Sequence, residues 1–174
     1  MCPSYVRIKL PIKDALARFA EWNGIPEIEK NQEIHLRDAF KLAADENGHW
    51  RGATAFVSTI GDWTLFQDFS GALNCRPVES WKLFAKSDEM VFARYNDSIV
   101  SADLVIFFDG KLVREFRYLK DHRNSKHTEE IVDQGRLDSR HEPFKSWIQV
   151  ASFVDSDDLG FSDRGLLWIF HPVR

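Results

Sequence analysis

Ile99-Val100-Ser101-Ala102-Asp103-Leu104-Val105-Ile106-Phe107-Phe108-Asp109-Gly110-Lys111-Leu112-Val113-Arg114-Glu115-Phe116-Arg117-Tyr118 is the stretch whose reading decides the fold. Two β-rich runs flank an Asp-Gly pair, the combination that tolerates positive φ at both central positions of a type I′ hairpin turn. A two-residue loop there pairs Phe107 with Leu112, Val105 with Arg114 and Asp103 with Phe116. Phe108, Ile106, Leu104 and Val113 fall on the opposite face. Both faces are largely apolar, so the hairpin is expected to lie centrally with a layer on each side. In this register Asp103 and Arg114 are diagonal neighbours suited to a cross-strand ion pair.

Working outward, residues 53–60 and 63–69 are further β-rich runs, joined by Gly61-Asp62. A glycine in first position suits a type II′ turn, and the register then sets Phe56, Ser58 and Ile60 beside Gln67, Leu65 and Trp63. Residues 5–10, 89–94 and 166–170 read as additional strands. Helical spacing occurs in three other places. Ile12, Ala15, Leu16 and Phe19 follow Pro11; Leu36, Ala39, Phe40 and Ala43 lie within 33–45; Val78, Trp81 and Ala85 follow Pro77. Each set forms one apolar face, and proline is well tolerated in a helix's first turn. Phe144, Trp147, Ile148, Ala151 and Val154 predict a fourth helix after Pro143. Residues 120–142 are polar and aperiodic and read as a long loop, a kind of segment that is often functional or disordered. The expected fold is one α+β domain, an antiparallel β-sheet built as a meander of hairpins and packed with several amphipathic helices.

The 174 residues are 44% hydrophobic and include 14 Phe and 6 Trp, enough for a conventional core. A formal charge of −4 speaks against general nucleic-acid binding, which needs a basic surface to displace counterions. The basic residues Lys111, Arg114, Arg117, Lys120, Arg123 and Lys126 do not form one stripe, because Arg114 and Arg117 sit on opposite faces of a strand. No apolar run approaches the roughly 18 residues of a membrane span, and the N-terminus lacks the apolar core of a secretory signal. Cys2 and Cys75 are too few for a disulfide framework and read as free thiols, which points to a cytoplasmic location.

No constellation of residues declares a reaction. His122, His127 and His141 lack the partners and spacing of a zinc site and read as loop histidines. Asp155-Ser156-Asp157-Asp158 begins like a calcium loop, but Leu159 and Leu166 occupy positions that require oxygen ligands. Nucleophile elbows, phosphate-binding loops and cofactor fingerprints are missing, so neither catalysis nor a cofactor is expected. Trp63, Trp81, Trp147 and Trp168 sit at core-facing phases, whereas Trp22 and Trp50 fall at element ends and are expected to be more exposed.

Four segments together resemble a known group of proteins. They are the run from Gly61-Asp62-Trp63 to Asp68-Phe69-Ser70-Gly71, Phe92-Ala93-Arg94-Tyr95-Asn96-Asp97-Ser98-Ile99, Val113-Arg114-Glu115-Phe116, and Trp147-Ile148-Gln149-Val150-Ala151-Ser152-Phe153-Val154-Asp155. They are similar to small bacterial proteins found as immunity partners of secreted polymorphic toxins, over roughly residues 53–170. These are packing and turn motifs and carry no catalytic residue. The resemblance implies a cytoplasmic protein that binds a cognate toxin and occludes it without turnover. The candidate contacts are the acidic group Asp155, Asp157, Asp158 and Asp163, facing a basic partner, and the loop carrying His122, His127 and His141. The competing expectation is a small-molecule-binding protein or enzyme with a pocket between sheet and helices, lined by Asp103, Arg114 and Tyr95. A third is a homo-oligomeric module with an exposed apolar edge.

Overall fold

The structure, a computed structural model, describes residues 4–25, 33–74, 76–96, 101–121, 128–135 and 163–170. Two tight turns organise the sheet. Between β3 (Ala53–Ile60) and β4 (Trp63–Asp68), Gly61 adopts a φ of 54° while Asp62 stays negative. That is the type II′ pattern, and Phe56, Ser58 and Ile60 pair with Gln67, Leu65 and Trp63 as the sequence implies. Between β6 (Ser101–Phe108) and β7 (Lys111–Asp121), Asp109 and Gly110 both have positive φ, 50° and 67°, the type I′ pattern.

The remaining strands are β1 (Ser4–Ile8), β2 (Glu33–His35), β5 (Met90–Asn96), β8 (Thr128–Gly135) and β9 (Arg164–Phe170). All neighbours are antiparallel, in the order β2-β9-β3-β4-β1-β5-β6-β7-β8. The fold is thus α+β. Strand order departs from chain order in two places, with β1 between β4 and β5 and β9 between β2 and β3. The N-terminal strand, not the β6–β7 hairpin, is the central one. β6 is nonetheless buried along Ser101–Phe107, which accounts for its two apolar faces.

One face of the sheet carries Val6, Ile8, Val57, Phe66, Phe92, Val105 and Trp168 and is covered by α1 (Ile12–Asn23) and α3 (Val78–Ala85). Phe19 of α1 is the hub. Its ring stacks on Phe66 at 4.5 Å and meets Trp168 and Phe170 at 5.3 and 5.5 Å. Truncating a buried ring in such a position costs about 3–5 kcal/mol. On the opposite face α2 (Leu36–Ala43) sets Ala39 and Ala43 against Phe56, Phe69 and Leu167. A separate cluster on that face joins Val91, Leu104, Ile106, Phe116 and Tyr118 across β5, β6 and β7.

Three expectations need correction. The helix expected over 33–45 begins only at Leu36, because Glu33–His35 pairs with β9. The expected loop 120–142 contains the end of β7 and the edge strand β8. Its sequence, Thr128 to Gly135, carries Glu129, Glu130 and Asp133, the charged composition by which edge strands resist further pairing and which hides strand periodicity. Trp22 is half-buried against Trp81 and Phe84 and Trp50 is half-buried near Phe69, both more exposed than the buried Trp81 and Trp168, as expected at element ends. Finally, the β6–β7 register slips by one residue between Ile106 and Phe107. Val113 has no partner opposite, Arg114 pairs with Ile106, and Asp103 lies opposite Arg117 instead of Phe116. A bulge of this kind turns every later side chain of the strand to the other face.

Candidate functional site

The bulge creates the main polar site. Beyond Val113 it sends Glu115 and Arg117 to the face of Asp103 and Val105, beside the start of α3. There they meet Arg94 of β5, the cross-strand partner of Asp103. Asp103 is buried and ion-paired with Arg94 Nε, and its Oδ1 lies 3.3 Å from Arg117 Nε. Arg117 Nη2 lies 3.8 Å from Glu115 Oε1. These four side chains line a pocket of about 390 Å³ together with Asn74 and Arg76. The rest of its wall includes Pro77, Val78, Val105 and Leu119.

Arg76 differs from the other two arginines. Its Nη2 donates to Asn23 Oδ1 at 2.6 Å, and its guanidinium lies 4.6 Å from the Trp22 ring centre. Trp22 is itself fixed by Nε1 donating to the carbonyl and hydroxyl oxygens of Ser80, each at 3.0 Å. Among the described residues no carboxylate pairs with Arg76, and burial lowers its pKa from the ordinary arginine value. The pocket therefore holds three guanidinium groups against two carboxylates. It also receives the start of α3, where Pro77 precedes a first turn without a side-chain cap. The N–H groups of such a turn lack intrahelical partners and carry partial positive charge.

A second site lies where α3 ends against the β6–β7 turn. Gly110 packs on the backbone here, and a Cβ at that position would come within 2.9 Å of the Lys86 carbonyl oxygen. Lys86 has φ 51° and ψ −117°, and Asp88 N–H donates back to Ala85 O at 2.9 Å. This is a type II′ turn with lysine in the position that favours glycine. Leu83 of α3, and Phe108 and Leu112 on opposite faces of the β6–β7 hairpin, are 70%, 58% and 40% exposed.

The other conspicuous polar groups serve the fold. Asp68 accepts from Ser4 Oγ, Ser70 N–H and Oγ, Gly71 N–H and Leu73 N–H at 2.8–3.2 Å, tying β1, β4 and the following turn together. Arg114 is 2% exposed, pairs with Asp133 of β8 and donates to Gln134 O at 3.1 Å. Arg7 stacks on Trp63 at 4.8 Å, and burial takes its pKa down to about 10 although Glu89 opposes the shift.

Of the residues singled out in the sequence, Asp163 is described. It is exposed at the start of β9, its carboxylate 3.8 Å from His35 Nδ1, while its carbonyl accepts from Leu36 N–H. Asp155, Asp157, Asp158, His122, His127 and His141 lie outside the described residues, as does the helix expected after Pro143. Asp103 does line a pocket, but Arg114 faces away from it toward β8, and the Tyr95 side chain lies outside the described ones. Sequence reasoning missed Arg76 and Arg94. Arg76 falls in a connecting segment, and the role of Arg94 depends on strand neighbours that are far apart in sequence. Among the described residues no group of three or more His, Cys, Asp or Glu is placed to hold a metal, and no helix is long and apolar enough to cross a membrane. No family model, curated protein or solved structure matches the chain.

Proposed function

We propose that this chain is a non-catalytic binding protein of the immunity type, which holds a cognate secreted toxin in the cytoplasm and occludes its active site. The observation that carries the reading is the junction of α3 with the β6–β7 turn. Lys86 holds a strained backbone there, and three large apolar side chains of the elements that meet, Leu83 of α3 and Phe108 and Leu112 on opposite faces of the hairpin, are exposed. Exposed apolar groups framed by polar ones mark interaction surfaces, and strained backbone concentrates at functional positions. Lys82, Lys86 and Lys111 border the junction, with Glu79, Asp109 and Glu21, bridged to Lys86 at 3.3 Å, as the opposing charges. The acidic group at 155–163 would make a separate contact with basic groups of the partner.

The resemblance supports the same reading, since the segments that carry it build β4, β5 and β7, the frame on which the junction rests. Binding by occlusion needs a rigid surface with a few anchors, and specific interfaces bury about 1,200–2,000 Å² in total. The test is a growth assay in which the chain is co-expressed with the toxin candidate encoded beside its gene. Wild-type chain restores growth, and Leu83→Asp removes protection without lowering the amount of soluble protein. Full protection by both Leu83→Asp and Phe108→Asp would exclude the junction, and no protection by wild type would exclude the pairing.

A further inference from the structure

We propose that the pocket between the start of α3 and strands β5, β6 and β7 is a binding site for a small organic carboxylate. The site is distinct from the apolar junction at the other end of α3 and does not depend on the immunity reading. Three observations converge on it. The first is charge: Arg76, Arg94 and Arg117 face Asp103 and Glu115, leaving one positive charge in excess. A single carboxylate neutralises it.

The second is the state of Arg76. Its only polar partner among the described residues is the neutral Asn23 amide, and its flat face rests on Trp22. A guanidinium that is partly desolvated and lacks a counter-charge gains more from an anion than one already paired, because charge-assisted bidentate bonds are about twice as strong as neutral ones. Arg94 has no such capacity, since Asp103 holds it. The third observation is the wall. Val78, Val105 and Leu119 add apolar lining to the cationic groups, and the volume of about 390 Å³ lies in the range of small-molecule sites. The α3 N-terminus adds N–H donors and a favourable dipole for the same negative group. An apolar body with one acidic head fits this combination better than a bare multivalent anion does.

The test is a titration of the isotope-labelled full chain followed by NMR of the arginine Nε–H and tryptophan indole signals. Benzoate is the probe, with inorganic phosphate and chloride as comparators at constant ionic strength. Benzoate is expected to shift the Arg76 and Trp22 signals saturably, with phosphate binding at least tenfold more weakly and chloride without specific effect. Arg76→Gln, which removes the charge but keeps a polar side chain, should weaken benzoate binding at least tenfold. Arg117→Gln, at a half-exposed position, should weaken it by a smaller factor and provides an independent variant if Arg76→Gln lowers stability. Benzoate shifts that stay linear and match those of chloride would overturn the site. Equal binding of phosphate and benzoate would overturn the carboxylate assignment, and unchanged affinity in both variants would overturn the role of the arginines.

Discussion

At the scale of single residues, the polar chemistry of this protein is decided by which partner each charge finds. Asp103 illustrates it. A two-residue turn alone would place Arg114 within diagonal reach, but the bulge at Val113 sets Arg117 against Asp103, which β5 already pairs with Arg94, and sends Arg114 to Asp133. Double-mutant cycles should therefore find a coupling of about 1–3 kcal/mol between Asp103 and Arg94, and less than about 0.5 kcal/mol between Asp103 and Arg114. Urea denaturation of the single and double alanine variants measures both, and the reverse order would mean that the register is wrong. Lys86 is the second case. Its backbone occupies a region that costs a non-glycine residue about 1–3 kcal/mol, and its side chain makes only an exposed bridge to Glu21. Lys86→Gly should raise stability by about 1 kcal/mol, read as a higher urea midpoint at unchanged slope. An unchanged or lower midpoint would show that the position is not strained. Neither fact was legible in the sequence: Asp109-Gly110 announced the turn, but nothing in the residues that follow marks Val113 as the extra one.

Elements were more legible than their neighbours. The strands expected over 53–60 and 63–69 match β3 and, to within one residue, β4, register included, because alternation is anchored by a turn with a single glycine-compatible geometry. The helices after Pro11 and Pro77 also read correctly, since 3.6-residue spacing and proline in the first turn agree. β2 and β8 were not read, for a common reason. Both are edge strands, β2 with only three residues, so neither needs the apolar alternation that betrays a buried strand. Long-range insertion is equally silent in sequence: nothing local tells β9 to enter between β2 and β3. The structure does mark that insertion at Gly165, where β9 passes so close to β3 that a Cβ would strike the Val57 carbonyl and the Phe56 ring. Gly165→Ala should accordingly destabilise the protein by about 2–4 kcal/mol, toward the upper end of overpacking because backbone must move. Thermal unfolding measures it, and a loss below about 0.5 kcal/mol would contradict this packing of β9.

At the scale of the whole molecule, β1 and Phe19 join what the chain keeps apart. β1 pairs with β4 on one side and β5 on the other, so the strands of both halves share it. Phe19 packs on Phe66, Phe84 and Trp168, which come from three separate stretches of sequence. The N-terminal segments, which fall outside the resemblance, thus complete the core on which the resembling segments depend. That frame presents two surfaces at opposite ends of α3, a basic pocket at its start and an apolar junction at its finish. The sequence pointed to a binding protein through motifs that build the frame, but the surfaces arise from residues that only folding brings together. The central claim, that the apolar junction anchors a partner protein, is tested most directly by calorimetric titration of the chain with a catalytically inactivated toxin candidate from the neighbouring gene. The account predicts a one-to-one complex that Phe108→Asp weakens at least 100-fold, with an unchanged circular dichroism spectrum. No complex with the wild-type chain, or wild-type affinity in Phe108→Asp, would contradict it.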